Sequence, residues 1–437
     1  MARRPNFVFI LADDLGYADL GCTGSREAVS PHLDQLAADG LLFTHGYANS
    51  SLCSPTRFAL ITGRYQYRLR GAAEEPLAGK ARGSSVLGLP PEHPTLPSLL
   101  RDAGYRTALV GKWHLGFPPH FGPLKSGYEA FFGPMSGGVD YFNHQDYGGK
   151  LDLWEGDEAC RLPGRYLTDL ISERAVDFID AQAGSQQPFL LSVHYTAPHW
   201  PWEAREDAAE SHRIAGGIAH TDGGSIATYR RMIRQMDEGI GQIVAALRRQ
   251  GLDDDTLLVF TSDNGGERFS DNWPFIGQKM DLLEGGIRVP LIAHWPSRIR
   301  PAVTHTPAIS MDWAATMLAA AGVKADAQHP LDGIDLSPLF TDVAWAPARH
   351  LCWRMLHREQ RALREGSWKY LRVDGHDYLF DLSRDERERA NLAKVLPDKL
   401  NALRRHWETW AETMPAIPDD ARVTPIHSVA DMPRPTY

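Results

Sequence analysis

The sequence predicts an α/β fold in which helices flank both faces of a large, mostly parallel sheet. Short, continuous apolar runs recur along the chain, and such runs are typical of strands that are buried on both faces. Helical patterns lie between these runs, and this alternation indicates a parallel sheet that is covered on both sides. The composition changes after about residue 342, which predicts a smaller C-terminal α+β subdomain built on a short antiparallel sheet. We therefore predict a main domain over 1–342, and a C-terminal subdomain with a tail over 343–437.

Five apolar runs are predicted as strands because they are rich in β-branched and aromatic residues without polar alternation. These runs are 6–12, 107–111, 188–195, 256–261 and 288–293. Open α/β sheets bind their ligands beyond the carboxyl ends of the strands. Polar residues that directly follow the runs are therefore candidates for a functional site.

Helices are predicted from apolar residues at helical spacing and from residues that favour helix ends. Ser30 and Pro31 are typical of a helix start, and Gly40 is typical of its end. A second helix is predicted to end near Gly104, and two longer ones to cover 168–181 and 225–249.

The C-terminal subdomain is predicted to contain strands within 362–372 and 377–382, followed by an amphipathic helix over 399–412. Segments 71–97 and 200–224 are rich in proline, glycine and polar residues, and we predict long loops there. The last twenty or so residues are predicted as coil.

The 437 residues carry a net charge of −9, and 43% of them are hydrophobic. A moderately acidic globular chain is a poor candidate for non-specific nucleic-acid binding. The four cysteines fit neither a zinc site nor a dense disulfide framework. No signal peptide and no bilayer-spanning run is recognised, so we expect no membrane partner. We expect a cytoplasmic location for the chain as given, or a periplasmic or secreted one if a leader was removed; the oligomeric state is not indicated.

Cys53 opens the segment Cys53-Ser54-Pro55-Thr56-Arg57, in which proline follows the cysteine after two residues and arginine after four. Taken alone, this pattern predicts a buried thiol before a helix, because free cysteine usually behaves as a small hydrophobic residue. Proline also suits the first turn of a helix. A functional interpretation of Cys53 therefore depends on which other side chains converge on it.

Four acidic or amide side chains follow two of the predicted strands: Asp13, Asp14, Asp263 and Asn264. Each of them could simply cap a turn, as such residues often do beside glycine. Together they offer three carboxylates and one amide oxygen, which would repel one another without a cation. Ligation by oxygen alone favours a hard cation, Ca²⁺ or Mg²⁺.

Three basic residues, Arg57, Lys112 and Lys279, and two histidines, His114 and His199, complete the candidate set. Lysines in loops are normally solvated, and histidines beside tryptophan can pack as ordinary aromatic rings. A cation combined with arginine and lysine would instead complement a multiply charged oxyanion. Histidines exchange protons near neutral pH, which suits acid–base chemistry at such a site.

These motifs together resemble those of type I sulfatases in the alkaline phosphatase superfamily, and they occur in the family's order. The motifs are Asp13-Asp14, Cys53-Ser54-Pro55-Thr56-Arg57, Gly111-Lys112-Trp113-His114, Ala197-Pro198-His199, Ser262-Asp263-Asn264-Gly265-Gly266, and Lys279 ahead of Glu284-Gly285-Gly286. The resemblance covers roughly residues 5–300 by motif, without a departure at a core catalytic position. It implies that the domain over 1–342 is catalytic.

The resemblance implies that a formylglycine-generating enzyme oxidises Cys53 to Cα-formylglycine, whose hydrate attacks sulfur and forms a covalent sulfo-enzyme intermediate. It implies one divalent cation, with Ca²⁺ expected before Mg²⁺, held by Asp13, Asp14, Asp263 and Asn264. Arg57 and Lys112 would hold the formylglycine hydrate, and His114 would take the proton from its second hydroxyl. His199 and Lys279 would contact the bridging ester oxygen, and either can be the acid that protonates the leaving group.

The implied function is hydrolysis of sulfate monoesters, by an arylsulfatase or an exo-acting sugar sulfatase. One alternative is a phosphonate monoester or phosphodiester hydrolase that uses the same formylglycine. Another is a non-catalytic relative that binds sulfated glycans, but a binding module needs no pair of proton-transfer groups. Aromatic segments 137–147 and 199–202 either line the substrate pocket or pack the loops, so no specificity residue is assigned.

Overall fold

The protein is described by a computed structural model that covers residues 4–214 and 223–424. In chain order, the strands of these residues are β1 (Asn6–Ala12), β2 (Leu41–Phe43), β3 (Gly46–Tyr47), β4 (Arg106–Gly111), β5 (Ala130–Gly133), β6 (Trp154–Glu155), β7 (Glu158–Ala159), β8 (Phe189–His194), β9 (Thr256–Ser262), β10 (Leu291–His294), β11 (Ala302–Thr304), β12 (Ala308–Ile309), β13 (His350–Arg354), β14 (Arg361–Glu365), β15 (Trp368–Val373) and β16 (His376–Asp381). The α-helices are α1 (Pro31–Asp39), α2 (Cys53–Thr62), α3 (Leu96–Asp102), α4 (Leu167–Asp180), α5 (Ala208–Arg213), α6 (Ile226–Arg249), α7 (Glu284–Ile287), α8 (Asp312–Ala321) and α9 (Pro397–Glu412).

The large sheet has ten strands within the described residues, in the order β11-β2-β10-β9-β1-β8-β4-β5-β6-β7. Its centre, β9-β1-β8-β4-β5, is parallel throughout. Antiparallel pairing occurs where β10 joins β9 and β2, and where β6 joins β5 and β7. The prediction of a large, mostly parallel sheet is therefore confirmed.

The two faces of this sheet bury separate hydrophobic cores, and β1 contributes to both of them. Val8, Ile10 and Ala12 pack into one core with residues of α1, α4 and α6. Phe7, Phe9 and Leu11 alternate with them along the strand, so they enter the other core, with residues of α2, α3 and α8. Helices on both faces explain why the strands carry continuous apolar runs.

The run predicted over 288–293 is a strand only over Leu291–His294, and it is antiparallel to β9. It starts after Pro290, which lacks the backbone N–H that a central strand needs. The predicted loop over 200–224 contains α5, and residues 215–222 lie outside the described part. Helix α8 was not predicted because its sequence, DWAATMLAAA, is apolar on most sides and shows no clear stripe.

The C-terminal segment forms a separate antiparallel sheet in the order β13-β14-β15-β16, which confirms the predicted subdomain type. Strand β13 was not predicted, whereas α9 matches the predicted amphipathic helix. A third hydrophobic core joins this sheet to residues of the main domain, among them Tyr47, Met280 and Ile287. The boundary at residue 342 stays a prediction, and the predicted terminal coil falls largely on residues 425–437, outside the described residues.

Among the helices of the described ranges, none combines the length and the apolar character that crossing a bilayer requires.

Candidate active site

The predicted polar residues lie together at one edge of the large sheet, because four adjacent parallel strands end there. Asp13 follows β1, Asp263 follows β9, Lys112 follows β4, and His199 lies beyond β8. Backbone bonds tie these ends together: the Asp263 N–H donates to the carbonyl of Ala12 at 3.1 Å. The convergence therefore follows from strand order rather than from sequence proximity.

Gly111, the last residue of β4, allows the strand ends to approach closely. Its φ is +112°, and a Cβ on this residue would lie 1.9 Å from the carbonyl oxygen of His194. The next residue, Lys112, donates its backbone N–H to the same carbonyl at 2.8 Å. Glycine at this position lets the chain turn so that the Lys112 side chain enters the site.

Buried ion pairs connect the carboxylates with the three basic side chains of the predicted site. Lys112 Nζ lies 2.5 Å from Asp13 Oδ2, and Lys279 Nζ lies 2.6 Å from Asp14 Oδ2. The Arg57 guanidinium donates from Nε to Asp263 Oδ2 at 3.0 Å. These side chains are almost completely inaccessible to solvent, so the charges interact through protein rather than water.

The two neighbouring aspartates of the first motif have opposite pKa shifts. Burial and repulsion by Asp263 raise the pKa of Asp13 to about 8, although Lys112 opposes the shift. Burial would also raise the pKa of Asp14, but Lys279 and the other basic groups nearby together outweigh it, and the pKa falls to about 2. A bound cation would remove the conflict at Asp13, because it favours the ionised carboxylate.

Two buried oxygens fit a cation at this place. Asp13 Oδ1 and Asn264 Oδ1 have no hydrogen-bond partner within the described ranges, although both are shielded from solvent. The Asn264 amide is oriented by its Nδ2, which donates to Asp14 Oδ1 at 2.7 Å. Buried polar atoms without partners are rare, and carboxylate and amide oxygens are the ligands of hard cations. The predicted set Asp13, Asp14, Asp263 and Asn264 therefore fits a Ca²⁺ or Mg²⁺ ion.

Cys53 is the first residue of α2 and lies beside this cluster. Its Sγ and one carboxylate oxygen each of Asp13 and Asp263 lie within 4.8 Å of one another. Arg57 is one helical turn further on and therefore shares the same face of α2. Burial raises the pKa of the Cys53 thiol, so the unmodified thiol is not activated as a thiolate.

The hydrogen bonds of the two histidines indicate which ring nitrogen is free to take a proton. His114 Nε2 lies 2.7 Å from the Leu77 carbonyl, so we assign the N–H there, and Nδ1 has no partner in the described part of the chain. His199 Nδ1 lies 2.5 Å from the Trp200 carbonyl, which leaves Nε2 unprotonated. Burial lowers the pKa of both rings well below the usual value. The 3.6 Å contact between His199 Nε2 and Asp14 is therefore not an ion pair between charged groups.

Two site residues adopt backbone conformations that are uncommon for residues other than glycine. Asp14 has a φ of 64° and His114 has a φ of 60°. Left-handed backbone at such residues is typical of functional sites, where the surrounding structure offsets the strain.

The site opens into a cavity of about 490 Å³, with Cys53, His114, His199 and Lys279 in its wall. Residues that were not assigned from the sequence also line it: Leu77, Arg82, Phe117, Tyr147, Lys150 and Trp200. Tyr147 and Trp200 belong to the two aromatic segments, and their rings meet edge to face at 5.1 Å. Arg82 comes from a predicted loop and pairs with Asp146 at 2.6 Å, a contact that no sequence pattern indicates.

A family model described as Sulfatase matches residues 5–323 of the chain. The chain belongs to the sulfatase family. Its similarity to N-acetylgalactosamine-6-sulfatase of Mus musculus is 34% identity over 365 residues, covering 77% of this chain and 66% of that protein. The chain thus spans slightly less than two thirds of the length of that sulfatase.

Two further similarities extend over most of this sulfatase-family chain. Arylsulfatase A of Homo sapiens is 32% identical, with 93% of this chain and 87% of the relative covered. The solved structure of Ps i-CgsB in complex with k-i-k-neocarrahexaose is 32% identical and superposes with a TM-score of 0.83, covering 93% of both chains. Both similarities include the C-terminal sheet region, because so little of the chain is left outside them.

Proposed function

We propose that this protein hydrolyses sulfate monoesters and releases inorganic sulfate. The observation that carries the proposal is the position of Cys53, whose Sγ lies among the Asp13 and Asp263 carboxylates in the wall of the cavity. Lysines and an arginine surround the same point and would complement the charge of a sulfate group. Membership of the sulfatase family supports the same chemistry.

We assign the cation to Asp13, Asp14, Asp263 and Asn264, and we expect Ca²⁺ before Mg²⁺. When bound, such an ion polarises sulfate oxygens and lowers the pKa of an attacking hydroxyl. Asp13 Oδ1 and Asn264 Oδ1 accept no hydrogen bond from residues 4–214 and 223–424, which supports this assignment. Ligand chemistry alone favours a hard cation without choosing between the two.

Conversion of Cys53 to formylglycine gives this position a nucleophile that the protonated thiol does not provide. The hydrated aldehyde carries two hydroxyls on one carbon, so one can bond to sulfur as the ester oxygen leaves. Loss of the proton from the other hydroxyl then reforms the aldehyde and breaks the C–O bond to sulfate. This covalent route divides one difficult displacement into two easier steps. A formylglycine-generating enzyme is the implied maturation partner.

Arg57 and Lys112 hold the formylglycine hydrate, and His114 accepts the proton of its second hydroxyl. Arg57 is anchored by Asp263, and Lys112 by Asp13, so both cations are fixed before substrate enters. His114 is neutral because burial lowers its pKa, and its Nδ1 has no partner in the described ranges. A neutral ring with a free nitrogen is the form that a general base requires.

His199 and Lys279 act on the bridging ester oxygen, since both lie in the cavity wall and both contact Asp14 Oδ2. Burial would lower the pKa of Lys279, but Asp14 and the other acidic groups nearby together raise it well above its usual value, whereas burial lowers the pKa of His199. Lys279 therefore carries the proton in the resting site. One of the two protonates the leaving group.

The substrate class that we propose is a sulfated saccharide or an aryl sulfate. N-acetylgalactosamine-6-sulfatase is named for a sugar sulfate, arylsulfatase A for an aryl sulfate, and the similar solved structure holds a neocarrahexaose. The aromatic rings of Tyr147 and Trp200 in the cavity suit the flat face of either ring type.

Parallel assays with an aryl sulfate and an aryl phosphonate ester test the proposal. We expect a higher kcat/KM for the sulfate, and loss of that activity in the Cys53→Ala variant, which shows that the turnover belongs to this site. A much higher kcat/KM for the phosphonate would favour the phosphonate monoester or phosphodiester hydrolase instead. Binding of a sulfated glycan without turnover of any ester would favour a non-catalytic protein.

A further inference from the structure

We propose that the C-terminal sheet is a positioning element for the active site, and that Gln360 fixes the backbone that carries Lys279. The proposal rests on the role proposed above for Lys279 at the ester oxygen. It assigns a task in turnover to a subdomain that contributes none of the predicted catalytic or metal-binding residues.

Gln360 lies just before β14 and is buried, with 1% of its surface exposed. Its Oε1 accepts the N–H of Leu282 at 2.8 Å, and its Nε2 donates to the carbonyl of Met280 at 2.8 Å. Both ends of one amide therefore bind the backbone within three residues of Lys279. Each of these bonds stabilises a backbone group that would otherwise be buried without a partner.

The backbone next to Lys279 is one that needs such support. Met280 has a φ of 76°, which is uncommon for a residue other than glycine and costs energy unless contacts enforce it. Its N–H donates to the carbonyl of Ser51 at 3.0 Å, two residues before Cys53. The strained turn thus connects the segment of Lys279 with the segment of Cys53.

A second contact from the C-terminal subdomain holds the end of the same segment. Lys369 of β15 is fully buried, and its Nζ lies 2.9 Å from Glu284 Oε1 and 2.8 Å from Glu388 Oε1. Glu388 also accepts the backbone N–H of Glu284 at 2.5 Å. Residues 280–284 are therefore bound at both ends by side chains of the C-terminal subdomain.

The subdomain also contacts the segment that precedes Cys53. Trp353 of β13 donates its indole N–H to the carbonyl of Ala48 at 2.8 Å. Ser51 Oγ lies 3.0 Å from the sulfur of Met355. The C-terminal sheet thus holds the two segments that bring Cys53 and Lys279 into one cavity, and it fixes their separation.

The test is Gln360→Met, which keeps the length of the side chain but removes both of these hydrogen bonds, together with the longer one that Nε2 donates to the carbonyl of His357 at 3.2 Å. We expect kcat for an aryl sulfate to fall about 10- to 100-fold with little change in KM, because a small displacement of a group acting in the transition state costs rate rather than binding. The matched control is Gln235→Met. Gln235 is also buried, and it accepts the Arg205 N–H at 3.0 Å without contacting residues 279–284. We expect the control to keep kcat.

A double-mutant cycle separates positioning of Lys279 from a general loss of stability. In a Lys279→Ala background, Gln360→Met should cause no further loss of kcat, because the group that it positions is gone. An undiminished fold loss in that background would overturn the proposal, since Gln360 would then act independently of Lys279. If Lys279→Ala itself left kcat unchanged in an active protein, the proposed role of Lys279 would fail first.

Hydrogen exchange of the full chain tests the same contact without any activity. The amide of Leu282 should exchange about five- to tenfold faster in Gln360→Met than in the parent, as expected for the loss of one hydrogen bond. Gln235→Met should leave the exchange of this segment unchanged. Unchanged exchange of residues 280–284 in Gln360→Met would overturn the positioning role, whatever reaction the protein catalyses.

Discussion

The buried charges of this molecule form two clusters that differ in how completely their atoms are paired. The catalytic cluster consists of Asp13, Asp14, Asp263, Asn264, Arg57, Lys112 and Lys279. The interface cluster lies between the large sheet and the C-terminal sheet and consists of Tyr47, Glu284, Arg288, Arg364, Lys369 and Glu388. In the interface cluster, Lys369 joins both glutamates, and Tyr47 donates to Glu284 Oε2 at 2.6 Å. In the catalytic cluster, oxygens of Asp13 and Asn264 lack hydrogen-bond partners in the part of the chain described.

The pKa values do not separate the two clusters, because each cluster holds one carboxyl group with a lowered pKa and one with a raised pKa. Burial would raise the pKa of Glu284, but Lys369, Arg288 and Arg364 outweigh it and lower the pKa to about 2. Burial raises the pKa of Glu388 to about 7 although Lys369 opposes the shift, and burial with repulsion by Asp263 raises the pKa of Asp13 to about 8. Pairing does separate them: Lys369 Nζ lies 2.8 Å from Glu388 Oε1, whereas no residue of the described ranges donates a hydrogen bond to Asp13 Oδ1 or Asn264 Oδ1, and buried oxygens without a donor suit a ligand. We therefore expect changes in the catalytic cluster to act mainly on activity. Changes in the interface cluster should lower the free energy of unfolding, in addition to any effect on kcat that follows from their contacts with residues 280–284.

The largest expected effect is the loss of turnover in Cys53→Ala. Removing the nucleophile of a covalent mechanism lowers kcat by about 10⁴- to 10⁶-fold. The alanine is smaller than the buried cysteine and introduces no charge, so the free energy of unfolding should change little. Aryl sulfate turnover and urea denaturation measure the two quantities. Substantial residual activity would contradict the covalent role of residue 53.

Lys369→Met should destabilise the fold, which Cys53→Ala should not. The substitution leaves Glu284 and Glu388 buried without their shared cation, a change that costs about 3–5 kcal/mol in buried ion pairs. Urea denaturation measures the loss in the free energy of unfolding.

Lys399→Met is the control for that variant, because Lys399 pairs with Glu365 at 2.9 Å where both side chains are about a third exposed. Pairs this exposed contribute about 0–1 kcal/mol. Equal destabilisation by the two lysine variants would show that the buried ion pairs of Lys369 stabilise the fold no more than an exposed ion pair does.

Cation removal should lower stability by a smaller amount that depends on pH. At a concentration of Ca²⁺ about 100 times its Kd, binding stabilises the fold by about 2.7 kcal/mol relative to the chelated protein. The cation-free pKa of Asp13 is raised from 3.8 to about 8, so protonated Asp13 stabilises the cation-free fold at low pH. That contribution is lost as the pH rises through about 8, and cation binding must displace the same proton.

The stabilisation by Ca²⁺ should therefore increase as the pH rises from 3.8 to about 8. Calorimetry with and without a chelator measures this stabilisation as a shift in Tm. A Tm that is the same with and without the chelator at every pH would contradict a cation at the catalytic cluster. Replacement of Ca²⁺ by Mg²⁺ in the same experiment compares the two ions.

The strands that position the site could be predicted because they are long, continuous apolar runs, as β1 and β9 are. The ends of these strands alone therefore predict that Asp13, Lys112 and Asp263 lie close together. The short strands β3, β6, β7 and β12 have two residues each and show no period. Their pairing depends on partners far along the chain, so no local pattern indicates them.

Residues whose contacts lie far away in the sequence could not be predicted, for the same reason. Gln360 lies 78 positions from Leu282, and Arg82 meets Asp146 across 64 positions. A lone glutamine or arginine in a loop has no spacing that distinguishes it from a solvated residue. The motifs of the candidate site are recognisable because their residues are neighbours in the sequence, whereas the contacts that support them are scattered along the chain.

The mass of the peptide that contains residue 53 shows whether Cys53 is converted to formylglycine. The measurement uses protein that hydrolyses an aryl sulfate and was produced in a host with a formylglycine-generating enzyme. Conversion of Cys53 predicts a net loss of H₂S and gain of O relative to the encoded peptide. An active protein in which this peptide carries only unmodified cysteine would contradict the formylglycine mechanism.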